Sequence, residues 1–389
     1  MLTIIFSLVF RACCTDAVGD GTLPRNIDRS ARMLLSLIHR CGMPAALLIA
    51  GFLVSAVAGA ETVTFKISTL YPDGTPVVNR IKQAGEDIGK RTGGQVKLKV
   101  YAGGVQGDDA TVLRKIRTGQ LHGALTQAGA VAQFYKDIQV YNVPLAFRTF
   151  DEVDYVRGKM DAQLKSELEK AGWVSFGIVE GGFAYVMSNA PVVTVADLRQ
   201  QKLWVPANDS ASEQAARSWG ISPIVLPIGD VLTSLQTGAI NAFAAPTTAA
   251  IALQWYSRVK YRTEVPLLYT YGLLTVSDKY FARLDAGQQK IVREALGAAF
   301  AELDKNARKD NIAALSTLDK QGIRIVKPDA TQFAQWEHLA LKATDDVVAR
   351  GELSAAALIQ FRKYLGEFRA GPAAVVPAIT SAAVMPNKK

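Results

Sequence analysis

Little in this 389-residue chain could make or break a covalent bond. The three cysteines, Cys13, Cys14 and Cys41, all precede an apolar run over residues 45–57, and of the three histidines only His122 and His338 follow it. Glu337 and His338 are adjacent, so on a helix their side chains diverge instead of sharing a face as residues four apart do. There is no Gly-x-Ser-x-Gly elbow, no Gly-Lys-Ser/Thr phosphate loop and no histidine pair at metal spacing. The carboxylate pairs Asp108-Asp109 and Asp345-Asp346 read as solvated helix ends. No enzyme activity, cofactor or metal is expected, and the chemistry left is recognition. Trp204 is the residue to watch, because an indole offers one N–H donor and a large apolar face. Tryptophan inside an α/β domain is more often packing, so core and ligand wall both stay open for it.

The elements that would position such a residue begin after the N-terminus. Arg29, Arg32 and Arg40 precede the apolar run, and Ala58-Gly59-Ala60 follows it, which reads as a secretory signal with cleavage before Glu61. The run is short for a membrane span, though an uncleaved anchor is the alternative. Residues 1–32 add little to such a signal, and Met33 or Met43 would be a more ordinary start. Removing five basic and three acidic residues from the 44 and 35 of the whole chain leaves a net charge of +7. That charge is scattered, with no basic and aromatic residues interleaved on one face, so nucleic acid is not an expected partner.

Strands and helices alternate from there on. Residues 63–68 read as a strand, 77–92 as a helix, 96–101 as a strand and 109–118 as a helix, with a buried strand ending near Thr126. Strands at 175–180 and 184–188 flank a bend at Gly181-Gly182. Thr194 and Asp197 form a capping box for a short helix. A strand at 203–206, a helix at 210–218, a strand at 223–226, a helix at 229–237 closed by Gly238 and a strand at 240–244 follow. Residues 284–321 contain no proline and predict one or two long helices, 322–327 a short strand, and 330–368 two more helices. Such alternation implies an α/β fold with a mainly parallel sheet.

Several segments in fixed order resemble the solute-binding proteins of TRAP transporters. They are Tyr71-Pro72-Asp73-Gly74-Thr75, Lys99-Val100-Tyr101 before Gly103-Gly104-Val105-Gln106-Gly107, Val143-Pro144-Leu145-Ala146-Phe147, the stretch from Asp197 to Pro206, Gly220-Ile221-Ser222-Pro223, and Leu235-Gln236-Thr237-Gly238 with Asn241. The resemblance covers nearly all of residues 63–368. It implies a two-domain periplasmic binding protein, a type II-like clamp with crossing hinge strands and a long C-terminal helix. The expected division is a signal segment at 1–60, one domain of 61–181 plus 271–310, a second of 182–270 plus 311–368, and a flexible tail at 369–389. It further implies a monomer that closes over a small organic ligand in the periplasm and docks on a membrane permease. A sensor signalling to a membrane kinase would use the same clamp.

Carried over position by position, the resemblance implies an altered pocket. Most of the family has a carboxylate-clamping arginine where this chain has Trp204. A second arginine of sialate-type members falls at Ala184, and a polar position before Pro246 falls at Ala245. Burying a carboxylate there without a cation would cost several kcal/mol, on the order of its unpaired desolvation, so an apolar or aromatic ligand is expected. Tyr71 and Gln127 at strand ends, Phe183, Tyr185, Trp204, Asn208, Ile228, Phe243, Ala245 and Gln254 are the candidate ligand-binding residues, with Phe183 a better wall than Tyr185. Surface solvation is the expected role of Asp209. Trp255-Tyr256 reads equally as pocket lining or as one face of a helix. A carboxylate binder using a metal or backbone contacts is the remaining alternative, and the metal-assisted form would need a glutamate where Ala244 stands.

Overall fold

A computed structural model describes residues 62–207 and 209–371. The signal segment at 1–60, Asn208 and nearly all of the expected tail lie outside the described residues. The chain opens with β1 (Val63–Thr69), α1 (Pro76–Arg91), β2 (Val96–Tyr101), α2 (Asp109–Arg117), β3 (Gly123–Gln127) and α3 (Ala128–Val131), then a 3-10 helix (Lys136–Asn142) and α4 (Phe150–Lys170). The long β4 (Trp173–Ser188) leads to α5 (Val195–Arg199), β5 (Leu203–Pro206), α6 (Ser210–Ser218), β6 (Ile224–Leu226), α7 (Val231–Thr237), β7 (Ala242–Pro246) and α8 (Thr247–Ala252). After β8 (Tyr261–Thr263) and β9 (Leu268–Ser277) come α9 (Asp278–Phe281), α10 (Ala286–Lys320), β10 (Arg324–Val326), α11 (Ala330–Ala349) and α12 (Ala355–Ala370).

Local chemistry accounts for many of these boundaries. Pro76 starts α1 where no amide partner is needed, and Val78, Ile81 and Ile88 recur on its buried face. Thr194 and Asp197 form the expected capping box at α5, and Asp285 with Gln288 does the same for α10. α7 ends at Gly238, whose φ of 73° is left-handed, as a helix C-terminus often requires.

The strands run β2-β1-β3-β9-β4-β7-β5-β6, with β8 pairing β4 and β10. β1 is parallel to β2 and β3, and β5 is parallel to β6 and β7. These two parallel groups are joined by β4 and β9, which pair antiparallel with each other and with one strand of each group. β4 is one strand where two were expected, and its register shifts between Glu180 and Gly182, at the expected bend. A Cβ at Gly182, where φ is 98°, would come 2.5 Å from the Asn311 side chain of α10, so only glycine fits.

Several elements escaped the sequence reading, β9, α4 and β8 among them. β9 is buried on both faces, so it lacks the alternation that reveals a half-exposed strand. α4 carries Glu152 and Arg157 among its buried residues and a glycine at 158, which blurs its apolar stripe. β8 has three residues, too few for a period.

α10 is a single 35-residue helix. Its first half packs Val292, Leu296 and Phe300 with Phe65, Ile81 and Val276, while Leu318 near its end packs with Trp255 and Phe243. α12 shares a core with Tyr141, Phe147 and Met160 beside α4, so its packing is with the first lobe, whereas the expected division put residues up to 368 in the second. Behind β4 lies a charged seam. Arg157 of α4 binds Asp161 at 3.0 Å and Asp304 of α10 at 2.9 Å, and Arg308 binds Asp154 at 2.7 Å and Glu180 at 3.1 Å.

Candidate functional site

A cavity of about 250 Å³ opens between the two parallel groups of strands. One wall is built from ends: Tyr71 after β1, Asp108 and Asp109 at the start of α2, Thr126 and Gln127 closing β3, and Asn142 closing the 3-10 helix. The opposite wall is Trp204 on β5, Asp209 before α6, Ile228, Ala244 and Ala245 on β7, and Trp255. Ligand sites at the carboxyl ends of parallel strands are the rule for open α/β sheets.

Trp204 serves as both core and wall. It is 4% exposed, and its indole N–H donates to the Leu226 carbonyl at 2.9 Å. Its ring meets that of Trp255 edge to face, with centroids 5.1 Å apart. The one donor of the indole is spent on β6, so what remains for the cavity is apolar ring.

Tyr71, Gln127, Trp204, Ile228 and Ala245 line the cavity as the sequence reading placed them. Four other candidates do not. Phe183 turns away, 4.8 Å from Phe150 and 5.9 Å from Tyr269 between ring centroids. Tyr185 lies under the Arg262 guanidinium, and burial pushes its phenol up to about 12. Phe243 is fully buried against Trp255, on the same face of β7 as Ala245 but two residues further back from the strand end that reaches the cavity. Gln254 is exposed in a left-handed turn with φ of 59°, and its carbonyl accepts the Ser257 hydroxyl. Asn208 lies outside the described residues. Ala184 does not line the cavity either, whereas Ala244 and Trp255 do.

The sequence reading took Asp108-Asp109 for solvated helix ends, and for Asp209 it preferred solvation over an orienting hydrogen bond to the ligand. Asp108, Asp109 and Asp209 all face the cavity, and none of its described lining residues is a lysine, arginine or histidine. Asp108 caps α2 by accepting the Thr111 amide, and its pKa is lowered by Thr111. Asp209 caps α6 by accepting the Ser212 amide and hydroxyl, yet burial raises its pKa, with Glu352 adding repulsion. Asp109 accepts no hydrogen bond from any described group; burial, then the charge of Asp108, raises its pKa to about 7. Burial also raises the Tyr71 phenol, with neighbouring Gln127 pulling the other way. A clue was available: Asp109 follows a strand and a glycine-rich turn, a common position for ligand contacts in such sheets.

Two α/β lobes crossed by a pair of long strands, with a cleft between them, are the architecture of a solute-binding protein. The chain belongs to the family described as bacterial extracellular solute-binding protein, family 7, whose model matches residues 67–350. Among its relatives is the 2,3-diketo-L-gulonate-binding periplasmic protein YiaO of Escherichia coli, 25% identical over 281 residues, covering 72% of this chain and 84% of that one. The sialic acid-binding periplasmic protein SiaP of Vibrio cholerae is 21% identical over 294 residues, covering 74% and 90%. In solved structures the fold recurs in the sugar acid binding protein of Advenella mimigardefordensis in complex with galactonate, with a TM-score of 0.72 and 17% identity over 79% of this chain and 99% of that one.

Proposed function

We propose that this chain is the periplasmic receptor of a TRAP-type secondary transporter and captures a small solute with an apolar or aromatic body. Export follows cleavage before Glu61, the closed form delivers its ligand to a membrane permease, and the receptor acts as a monomer. The two lobes divide near Gly181-Gly182 on β4 and near Thr270-Tyr271 on β9. Closure about those strands brings the Tyr71 wall and the Trp204 wall together, and binding favours the closed state by its differential affinity.

The observation that carries the ligand class is the lining. Relatives named for sugar acids or sialic acid handle anions, whereas the described lining residues here offer no cation and present Trp204, Trp255, Ile228 and Ala245 to the solute. An unpaired carboxylate buried there would cost several kcal/mol, on the order of the desolvation penalty.

Native mass spectrometry of the protein purified from a periplasmic extract tests this reading. The expected result is a chain starting at Glu61 with one bound molecule whose fragments contain an aromatic or extended hydrocarbon part. A bound sugar acid or simple dicarboxylate overturns the apolar-body reading.

A further inference from the structure

The polar groups of the cleft are nearly all acceptors. Asp108 and Asp209 are committed to helix N-termini, but Asp109 takes no hydrogen bond from any described residue. Beside the half-buried Asp109, two oxygens on the same wall are buried without a partner, Thr126 Oγ1 at the end of β3 and Asn142 Oδ1 at the end of the 3-10 helix. Thr126 is only 4% exposed, so water does not readily satisfy it. A buried oxygen without a donor costs about 1–3 kcal/mol, and a carboxylate more. Proteins keep such groups where a ligand completes them.

We infer that the solute carries a protonated nitrogen on its apolar or aromatic body, and that Asp109 receives it. An ammonium brings several donors and a positive charge to a wall that holds acceptors and negative charge, and a charge-assisted N–H···O bond is about twice as strong as a neutral one. The aromatic rings of Tyr71 and Trp204 add favourable faces for a cation. An anionic head group would meet three carboxyl groups and no described cation. The inference rests on the cleft being a pocket for an apolar-bodied solute, and adds the head group that orients it.

Three probes of matched body separate the two claims by isothermal titration calorimetry on the exported chain: phenethylamine, phenethyl alcohol and 3-phenylpropionate. Phenethylamine is expected to bind about tenfold or more tighter than the alcohol, a ratio typical of a charge-assisted contact. Phenylpropionate is expected to give no measurable heat. In Asp109→Asn the amine advantage over the alcohol collapses while the alcohol keeps its affinity, and in Glu86→Gln, at an exposed residue of α1 that does not line the cavity, neither changes. Thr126→Val is expected to weaken the amine less than Asp109→Asn does. Equal binding of amine and alcohol, tighter binding of phenylpropionate, or an unchanged amine-to-alcohol ratio in Asp109→Asn overturns the head-group inference and leaves the apolar cleft standing. Binding of succinate or gluconate, with no response to any of the three aromatic probes, overturns the apolar reading itself. Silence of all five compounds with a native melting profile overturns both.

Discussion

Carboxylates occur at two partly buried places in this molecule and meet opposite fates. In the seam behind β4, Asp154, Asp161, Glu180 and Asp304 each lie within 3.1 Å of a guanidinium from Arg157 or Arg308. In the cleft, Asp108, Asp109 and Asp209 share a cavity whose described lining holds no cation. Charges that a fold needs for itself find counter-charges within the fold, because an unpaired buried charge is costly, although Glu180 Oε1 and Arg308 Nε in the seam keep no hydrogen-bond partner among the described residues. The seam is therefore structural, and the cleft holds its charge in reserve for something that arrives from outside.

Removing a cation from the seam should break the contrast most severely. Arg157→Met takes the cation from Asp161 and Asp304, leaving them only the Tyr141 hydroxyl and the Glu180 amide as donors, and is expected to lower stability by about 3–5 kcal/mol, read from denaturant unfolding. A loss well under 1 kcal/mol would show that the seam is no better paired than the cleft. Trp204→Phe should cost about 1–3 kcal/mol, because it removes the indole bond to the Leu226 carbonyl, which keeps only the Ala207 amide, and opens space beside Trp255. A neutral outcome would mean that the cavity relaxes freely around that wall.

Asp109→Asn should act in the opposite direction and raise the melting temperature by about 2–4 °C at pH 8 in the ligand-free protein. The sign follows from proton linkage. The folded protein raises the Asp109 pKa from its ordinary value near 3.8 to about 7, with Asp108 and Tyr71 as its titratable neighbours, so folding becomes less favourable as pH rises between those values. Asparagine carries no such penalty. The difference between variant and parent should vanish near pH 4, grow through the window and be constant above it. A gain that is the same at pH 4 and pH 8 would show that ionisation is not its cause. The smallest effect is expected for Asp209→Asn, within about 0.5 kcal/mol, since asparagine caps a helix as well as aspartate does.

Much of the fold was legible because it is written locally. The Thr194–Asp197 capping box, the left-handed Gly238, the Gly181-Gly182 irregularity and the proline-free span of α10 are each decided by a few neighbouring residues. β9 was not, because a strand covered on both faces has no period to read. In the cleft the same division holds. Tyr71 and Gln127 follow from strand ends, whereas the direction of Phe183 depends on which face of β4 it rests and the depth of Phe243 on what packs over β7, both set by partners distant in sequence. Asp109 looked like any acidic residue opening a helix. It is half-buried and faces the cavity, a setting made by cavity walls that lie far from it in sequence.

The long helix α10 ties the two lobes at the level of stability as well as shape. Val292 and Phe300 belong to one core and Leu318 to the other, so neither core can melt while the other keeps its full share of this helix. Scanning calorimetry should accordingly find one cooperative transition instead of two. A receptor built this way exchanges open and closed forms without passing through a half-unfolded lobe, and proteases in its compartment see a single, global opening.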